Sequence, residues 1–486
     1  LMYGRSTGSK FTLSRFALTR AAAGPSLRLP QRGLPFTLCI CLALLCFVGG
    51  IVSSKNLFEW MVSGLTVLFT GVLLRREINM APPIFLFISL YWSAVAGDIL
   101  VADLDGAALD SLDGGVYRAW AIYYSWIALL VLAVGVKMGF GYRAVVVARM
   151  RRVKQYAQPD LRRAWAAYGA TTIAAVALGL AARAVPSLAQ PITAIAAVRL
   201  VALYILAHCL KRSPNGLALI AGVMLVEGAF GTISYIASFQ IAFFTIIAAL
   251  LVNDGGRSSA RASDMLALTI AGAILVFFAV VWTAVKPQFR ELIAVADMPA
   301  SERLSWVLGQ ITEGRIDYGE AAKRLVERVS YTKFFALLLE RQATGLAPDM
   351  HLWRDALTNV LMPRVFFPDK AILDDTAITT MLTGVKFGSN TSVSIGYVAE
   401  ASADFGPLVM SAPLALLGFL WGRATRFFLT ADVPMLVASA FVAAVWSALY
   451  KYESNSAKIL GGFALTFLAM FVVSRLRSLL KILRIT

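Results

Sequence analysis

Histidine and cysteine are nearly missing from these 486 residues, with two of the first and four of the second. His208 and His351 stand far apart, and no Cys-x-x-Cys or His-x-x-x-His spacing occurs, so a zinc or iron site has no ligand set to draw on. Cys39, Cys41 and Cys46 fall in the first apolar run and Cys209 in another, leaving no cysteine in a polar loop where a structural disulfide could close. Charge is scarce as well: 15% of the residues are Asp, Glu, Lys or Arg, 59% are hydrophobic, and mean hydropathy is +0.72. That balance excludes a soluble enzyme of this size and implies an integral membrane protein. Acids are the scarcer sign, 28 against 45 Lys and Arg, for a net charge of +17. Such an excess can mark a nucleic-acid partner, but the placement of the charges argues against one.

A spanning helix needs about 20 mostly apolar residues, and segments near that length recur at 34–52, 57–74, 82–100, 118–140, 164–185 and 191–210, then at 216–233, 235–252, 264–285, 407–424, 433–450 and 457–474. The expected fold is therefore an all-α polytopic membrane protein of about 12 transmembrane helices. Its parts are a basic cytoplasmic N-terminus (1–33), spans one to nine (34–285), an outer loop (286–405), spans ten to twelve (406–474) and a basic cytoplasmic tail (475–486).

If twelve spans alternate, every basic stretch falls on one side: Arg5 to Arg32, Arg75 with Arg76, Arg143 to Arg163, Lys211 with Arg212, Arg257 with Arg261, Arg423 with Arg426, and Arg475 to Arg484. By the excess of Lys and Arg in cytoplasmic loops, both termini are expected inside and 286–405 outside. The positive charge then reads as topology and contact with anionic lipid, not as nucleic-acid binding. The first span, preceded by basic residues and lacking a small-residue cleavage pattern, is expected to act as a signal anchor. Arg118 and Arg183 lie near the outer ends of their spans, where snorkelling accounts for them.

Acids concentrate outside in this layout: 286–405 holds 15 of them beside 13 Lys and Arg, and five Asp more lie between Asp98 and Asp113. A polar loop of about 120 residues among short connections is functional or separately folded. Asp317 with Glu320 predicts a capping-box helix start; Leu325, Val329, Thr332, Phe335 and Leu339 continue at helical spacing, and Gly345 ends the run. Its Lys323, Arg324, Arg328 and Arg341 offer charge to the headgroup region. Asp349 is expected to cap a second helix through His351, Trp353 and Arg354, stopped by Pro363.

Next comes Met362-Pro363-Arg364-Val365-Phe366-Phe367-Pro368-Asp369-Lys370, in which two prolines hold the backbone and so hold Arg364 and Lys370. A planar guanidinium and a point-charge ammonium on a stiff loop suit a diphosphate, although most loops bearing two cations are plain surface. Thr391-Ser392-x-Ser394-x-Gly396, Glu400 and Phe405-Gly406 follow.

These elements together resemble the outer loop of Wzy-type bacterial oligosaccharide repeat-unit polymerases, of the O-antigen and exopolysaccharide kind and related to O-antigen ligases. Those enzymes carry a Pro-Arg, aromatic, Pro-x-Lys element, a Gly-x-x-x-Glu element and an Asn-Phe-Gly before the chain re-enters the membrane. The motifs cover about 50 residues here, with three departures: Asp404 stands in the Asn position, Ser402 or Ala403 replaces an aromatic, and Ala371 replaces a proline.

The resemblance implies a GT-C-like glycosyltransferase of the bacterial inner membrane with its active site facing the periplasm. Its partners would be undecaprenyl-diphosphate-linked donor and acceptor oligosaccharides, membrane lipid, a chain-length regulator and a flippase. No cofactor is implied, and the reaction is expected to be metal-independent. The chemistry asks for cations on the leaving diphosphate and a base for the acceptor hydroxyl. Glu400 and then His351 are the expected bases, with Arg364, Lys370, Arg199 and Arg341 the expected diphosphate ligands.

Arg199 and Glu227 fall near the middle of the sixth and seventh spans, where each would cost about 2.5 to 3.5 kcal/mol facing lipid. They are expected either to pair with each other or, for Arg199, to meet the diphosphate. Asp103-Leu104-Asp105 matches an Asp-x-Asp metal pattern, though two Asp in an acidic loop are most often simply solvated. Competing readings are an O-antigen ligase-type transferase, which differs in acceptor, and a lipid-linked oligosaccharide transporter or flippase. The long loop after the ninth span breaks the matched halves that a transporter shows.

Overall fold

The computed structural model describes residues 33–53, 55–152, 160–233, 239–252, 262–295, 298–348, 350–362, 367, 374–387 and 393–476. Arg364 and Lys370, the basic N-terminal stretch to Arg32, Asp349, Pro363 and most of the C-terminal tail lie outside the described residues. Among the described residues every regular element is a helix. In a bilayer the backbone has no water to bond to, so apolar segments close their hydrogen bonds internally as helices.

Among the described residues, nine helices of 12 residues or more come first: α1 (Leu34–Val52), α2 (Leu57–Leu73), α3 (Pro82–Leu104), α4 (Tyr117–Phe140), α5 (Leu161–Ala184), α6 (Val198–Leu210), α7 (Gly216–Ile233), α8 (Phe239–Leu250) and α9 (Ala262–Val295). The long segment after α9 folds as α10 (Ala300–Thr312), α11 (Tyr318–Val329), α12 (Thr332–Ala343), α13 (Leu352–Leu361), α14 (Asp375–Thr383) and α15 (Tyr397–Phe405). The chain closes with α16 (Ser411–Thr430), α17 (Met435–Trp446) and α18 (Ser456–Arg475).

Among the described residues, seven helical stretches are long and apolar enough to cross a membrane: α1, α3, α4, α5, Ala189–Leu210, Met265–Ile293 and α18. The other expected spans are helical but differ in kind. α2, α7, α8 and α17 are apolar yet shorter, and α16 carries Arg423 and Arg426. At 1.5 Å per residue, the 17 residues of α2 reach only about 26 Å, short of a hydrocarbon core of about 30 Å. α9 departs the other way: its 34 residues run ten past the expected end, through Pro287.

Helix ends follow local chemistry. Proline occupies the first turn of α1 and α3, where its missing N–H costs nothing, and Gly141 at φ +58° stops α4. α4 and α16 form the tightest seam. Gly135 and Gly139 face Gly418 and Gly422, and a Cβ on any of the four would overlap a backbone carbonyl of the opposite helix, at Ala415, Phe419, Leu132 or Val136. Membrane helices gain little hydrophobic drive from each other, so such close backbone contact supplies dispersion instead.

The segment between α9 and α16 is tied down at α3. The predicted single helix after Asp317 is two helices, broken at Ser330 and Tyr331. The break has a tertiary cause: the Ser330 hydroxyl donates to Asp98, the Tyr331 N–H donates to Ala94 O at 3.1 Å, and Ser330 lies against Gly97. Asp98 also pairs with Arg118 at 2.6 Å, and both are buried. Arg118 is thus an internal anchor, correcting the expectation that it snorkels.

Candidate active site

Glu400 lies on α15, whose start is set by the chain before it. Gly396 sits at φ +91°, which a side chain would strain, and its Cα approaches Tyr452 O closely enough that a Cβ would stand 3.1 Å away. The Tyr397 N–H then donates to Ser454 O at 2.8 Å, locking α15 to the turn ahead of α18. Glu400 is carried against the first residue of α18, where the Ser456 N–H (2.7 Å) and hydroxyl (2.6 Å) both donate to Oε2. Oε1 has no hydrogen-bond partner among the described residues. Burial outweighs the two Ser456 bonds and, with smaller pushes from Asp375 and Asp404, raises the carboxyl to about 7.

Glu400 opens onto a hollow of about 280 Å³ whose wall includes Leu352, Asp355, Asp374, Ile378, Asn455 and Ser456. Three helix starts converge there. Asp374 caps α14 by accepting from the N–H groups of Thr376 and Ala377. Asn455 caps α18 through the Lys458 N–H at 2.7 Å, and its amide donates to Asp375 at 2.5 Å; Lys458 pairs with the same carboxylate. α13 is capped by Asp404, which accepts from the Leu352 N–H at 2.9 Å and the Trp353 N–H at 2.7 Å. Burial raises the Asp404 carboxyl and these two amides oppose it. The hollow thus mixes acids with apolar side chains and carries one deeply buried carboxyl that burial raises to about 7.

The structure brings the expected residues together only in part. His351 is exposed and flanks α13 beside Asp404, while its neighbours Met350 and Leu352 line the hollow. Arg341 serves the turn after α12: it donates to Leu346 O at 2.9 Å and packs on Gly384. Arg199 is in the membrane region and paired, donating to Glu227 and bonding Thr172 at 3.2 Å, with the Tyr168 hydroxyl on the same Glu227 oxygen. Its guanidinium also stands 5.3 Å over the Phe230 ring. Arg364 and Lys370 belong to the stretch between α13 and α14, outside the described residues.

Asp103 and Asp105 have separate duties. Asp103 accepts from Ser53 (2.6 Å), Asn56 (2.7 Å) and Trp60 Nε1 (2.7 Å), and Asp105 pairs with Lys323 at 2.8 Å. Among the described residues no group of three or more His, Cys, Asp or Glu is placed to hold a metal ion.

Ser456, Asn455, Asp374 and Asp375 went unnoticed in the sequence. For Asn455 and Ser456 the visible signal was the Asn-Ser pair at the start of the last apolar run, since these are preferred helix caps. No protein-family model matches the chain, and it has no match among curated proteins or solved structures.

Proposed function

We propose that the chain is a membrane glycosyltransferase that polymerises polyprenyl-diphosphate-linked oligosaccharide repeat units into a surface polysaccharide, as its resemblance to Wzy-type polymerases implies. In this reading it has the twelve-span, GT-C-like layout with both termini in the cytoplasm and the hollow facing the periplasm. The observation that carries the proposal is Glu400: a buried carboxyl held near 7, one oxygen bound by Ser456 and the other free beside an open hollow. A general base works best when its pKa lies near the operating pH.

Glu400 Oε1 takes the proton of an acceptor sugar hydroxyl as that oxygen bonds to the anomeric carbon of the donor. The anomeric carbon–oxygen bond to the diphosphate breaks, and the diphosphate leaves with the electron pair. Arg364 and Lys370 stabilise its charge, since their motif joins the two helices that wall the hollow.

The test is Glu400→Gln and Arg364→Ala in cells that make the polysaccharide, followed by gel analysis of lipid-linked glycans. Both variants should reach the membrane at normal levels and accumulate single repeat units, with chain extension reduced by roughly 10²-fold or more. A normal ladder from Glu400→Gln removes the base and with it this mechanism.

A further inference from the structure

We propose that Lys286 and Arg290 of α9, Arg328 of α11 and Lys451 ahead of α18 form a binding site for the phosphate-bearing headgroup of an amphiphile. Lys286 and Arg290 are four residues apart and so share one face of α9, and α9 packs along α11. Their charges act on one another: Lys286 feels Arg328, Arg290 and Lys451, and Arg328 feels Arg290. One carboxylate, Glu453, acts on Arg328 in return, while the charges acting on Lys286 are all positive.

The rest of α11 and its neighbour α12 show how this fold treats basic residues elsewhere. Lys323 pairs with Asp105, Arg324 with Glu320 and Lys333 with Asp113. None of the four clustered cations has a hydrogen bond or an ion pair among the described residues. Like charges held together in this way repel, and an anion shared among them removes the cost.

Depth identifies the anion. The apolar part of α9 begins near Met265, and about 20 residues cross a hydrocarbon core, which puts Lys286 at the headgroup level. Arg290, Arg328 and Lys451 are exposed, as an incoming ligand requires. Two guanidinium forks and two ammonium points fit phosphoryl oxygens, supplied either by the phosphodiester of a bulk anionic lipid or by an isoprenoid diphosphate.

The site makes no use of Glu400, so it stands or falls apart from the transferase reading. The full chain is reconstituted in nanodiscs of phosphatidylcholine alone, the same with inorganic pyrophosphate added, and nanodiscs containing phosphatidylglycerol. Lysines are then acylated with an amine-reactive reagent and counted by mass spectrometry. Lys286 and Lys451 should be protected by at least one of the two anions while Lys323 and Lys333 label equally in all three. Protection by pyrophosphate alone assigns a diphosphate, and protection by phosphatidylglycerol assigns a phosphodiester lipid. Arg290→Gln with Arg328→Gln should weaken the protecting anion by about tenfold or more, while Glu400→Gln binds as wild type. Unchanged labelling of Lys286 and Lys451 in all three conditions overturns the proposal, as does wild-type affinity in the double variant.

Discussion

Glu227 and Glu400 are equally hidden, at 2% and 3% exposure, but the groups around them differ. Glu227 meets a guanidinium and a phenol, and Arg199 in turn bonds Thr172 and lies over Phe230. Glu400 meets one hydroxyl and one amide, both on the same oxygen, and no cation bonds it among the described residues. A full positive charge beside a buried carboxylate offsets much of its desolvation. Neutral donors offset less of it, so burial raises the Glu400 carboxyl. The first arrangement ties α5, α6 and α7 together; the second leaves a carboxyl raised to about 7 at a hollow.

The comparison breaks most visibly at Glu227. Glu227→Ala strands Arg199 without its counter-ion and should cost about 3–5 kcal/mol, read as a large drop in thermal midpoint in detergent. Replacing Arg199 and Glu227 together by leucine should recover most of that loss, because the desolvation of both charges disappears with them. A double variant as unstable as the single one would mean that the pair does more than neutralise itself.

Glu400 should leave its mark on pH dependence. Its carboxyl titrates at about 7 folded against 4.5 as an ordinary glutamate, so between those values the unfolded chain has released a proton that the folded chain keeps. Stability therefore falls as pH rises from 4.5 through 7, by about 3 kcal/mol in all, and levels off above. Glu400→Gln should flatten this slope. Thermal midpoints measured from pH 4.5 to 8 that fall equally in wild type and variant would place the titration elsewhere.

Ser456 sharpens the same point with a smaller change. Its hydroxyl bond favours the ionised carboxylate, and Ser456→Ala removes that bond while keeping the backbone one. The Glu400 pKa should climb by about one unit, the worth of a hydrogen bond to a charged group. The acidic limb of the activity profile would move to higher pH by the same amount. A limb that stays in place would separate Ser456 from the titrating group.

These regions were unequally visible in the sequence. Arg199 and Glu227 announced themselves, since charge in the middle of an apolar run needs a partner, but Tyr168 carried no signal because a tyrosine suits any span. Asp317 was legible as a cap and does accept the Glu320 N–H, yet the reciprocal half of the expected box is absent: Glu320 turns to Arg324. Local propensity also favoured one helix through Ser330. Only the distant Asp98 and Ala94 explain the break there, and contacts 232 and 237 residues away leave no trace in a periodic pattern. The wall of the hollow was hidden for the same reason, being assembled from helix starts separated by long stretches of chain.

Asp404 is the subtlest case, because motif position and structural role pull apart there. It stands where the resembled family carries Asn, a departure that raises the prospect of a second functional carboxylate. Its two oxygens instead accept the first two N–H groups of α13, which is capping supplied from 52 residues away. Asn and Asp serve almost equally as caps, so the exchange is neutral if capping is the whole role. Asp404→Ala should then cost about 0.5–2 kcal/mol and Asp404→Asn less, with turnover per folded molecule unchanged in both. A carboxylate that handled protons would behave otherwise: Asn would preserve the helix and abolish turnover. Measuring both variants for melting and for chain extension therefore separates a cap from a second acid at this hollow, and leaves Glu400 as the proton acceptor only if the cap reading holds.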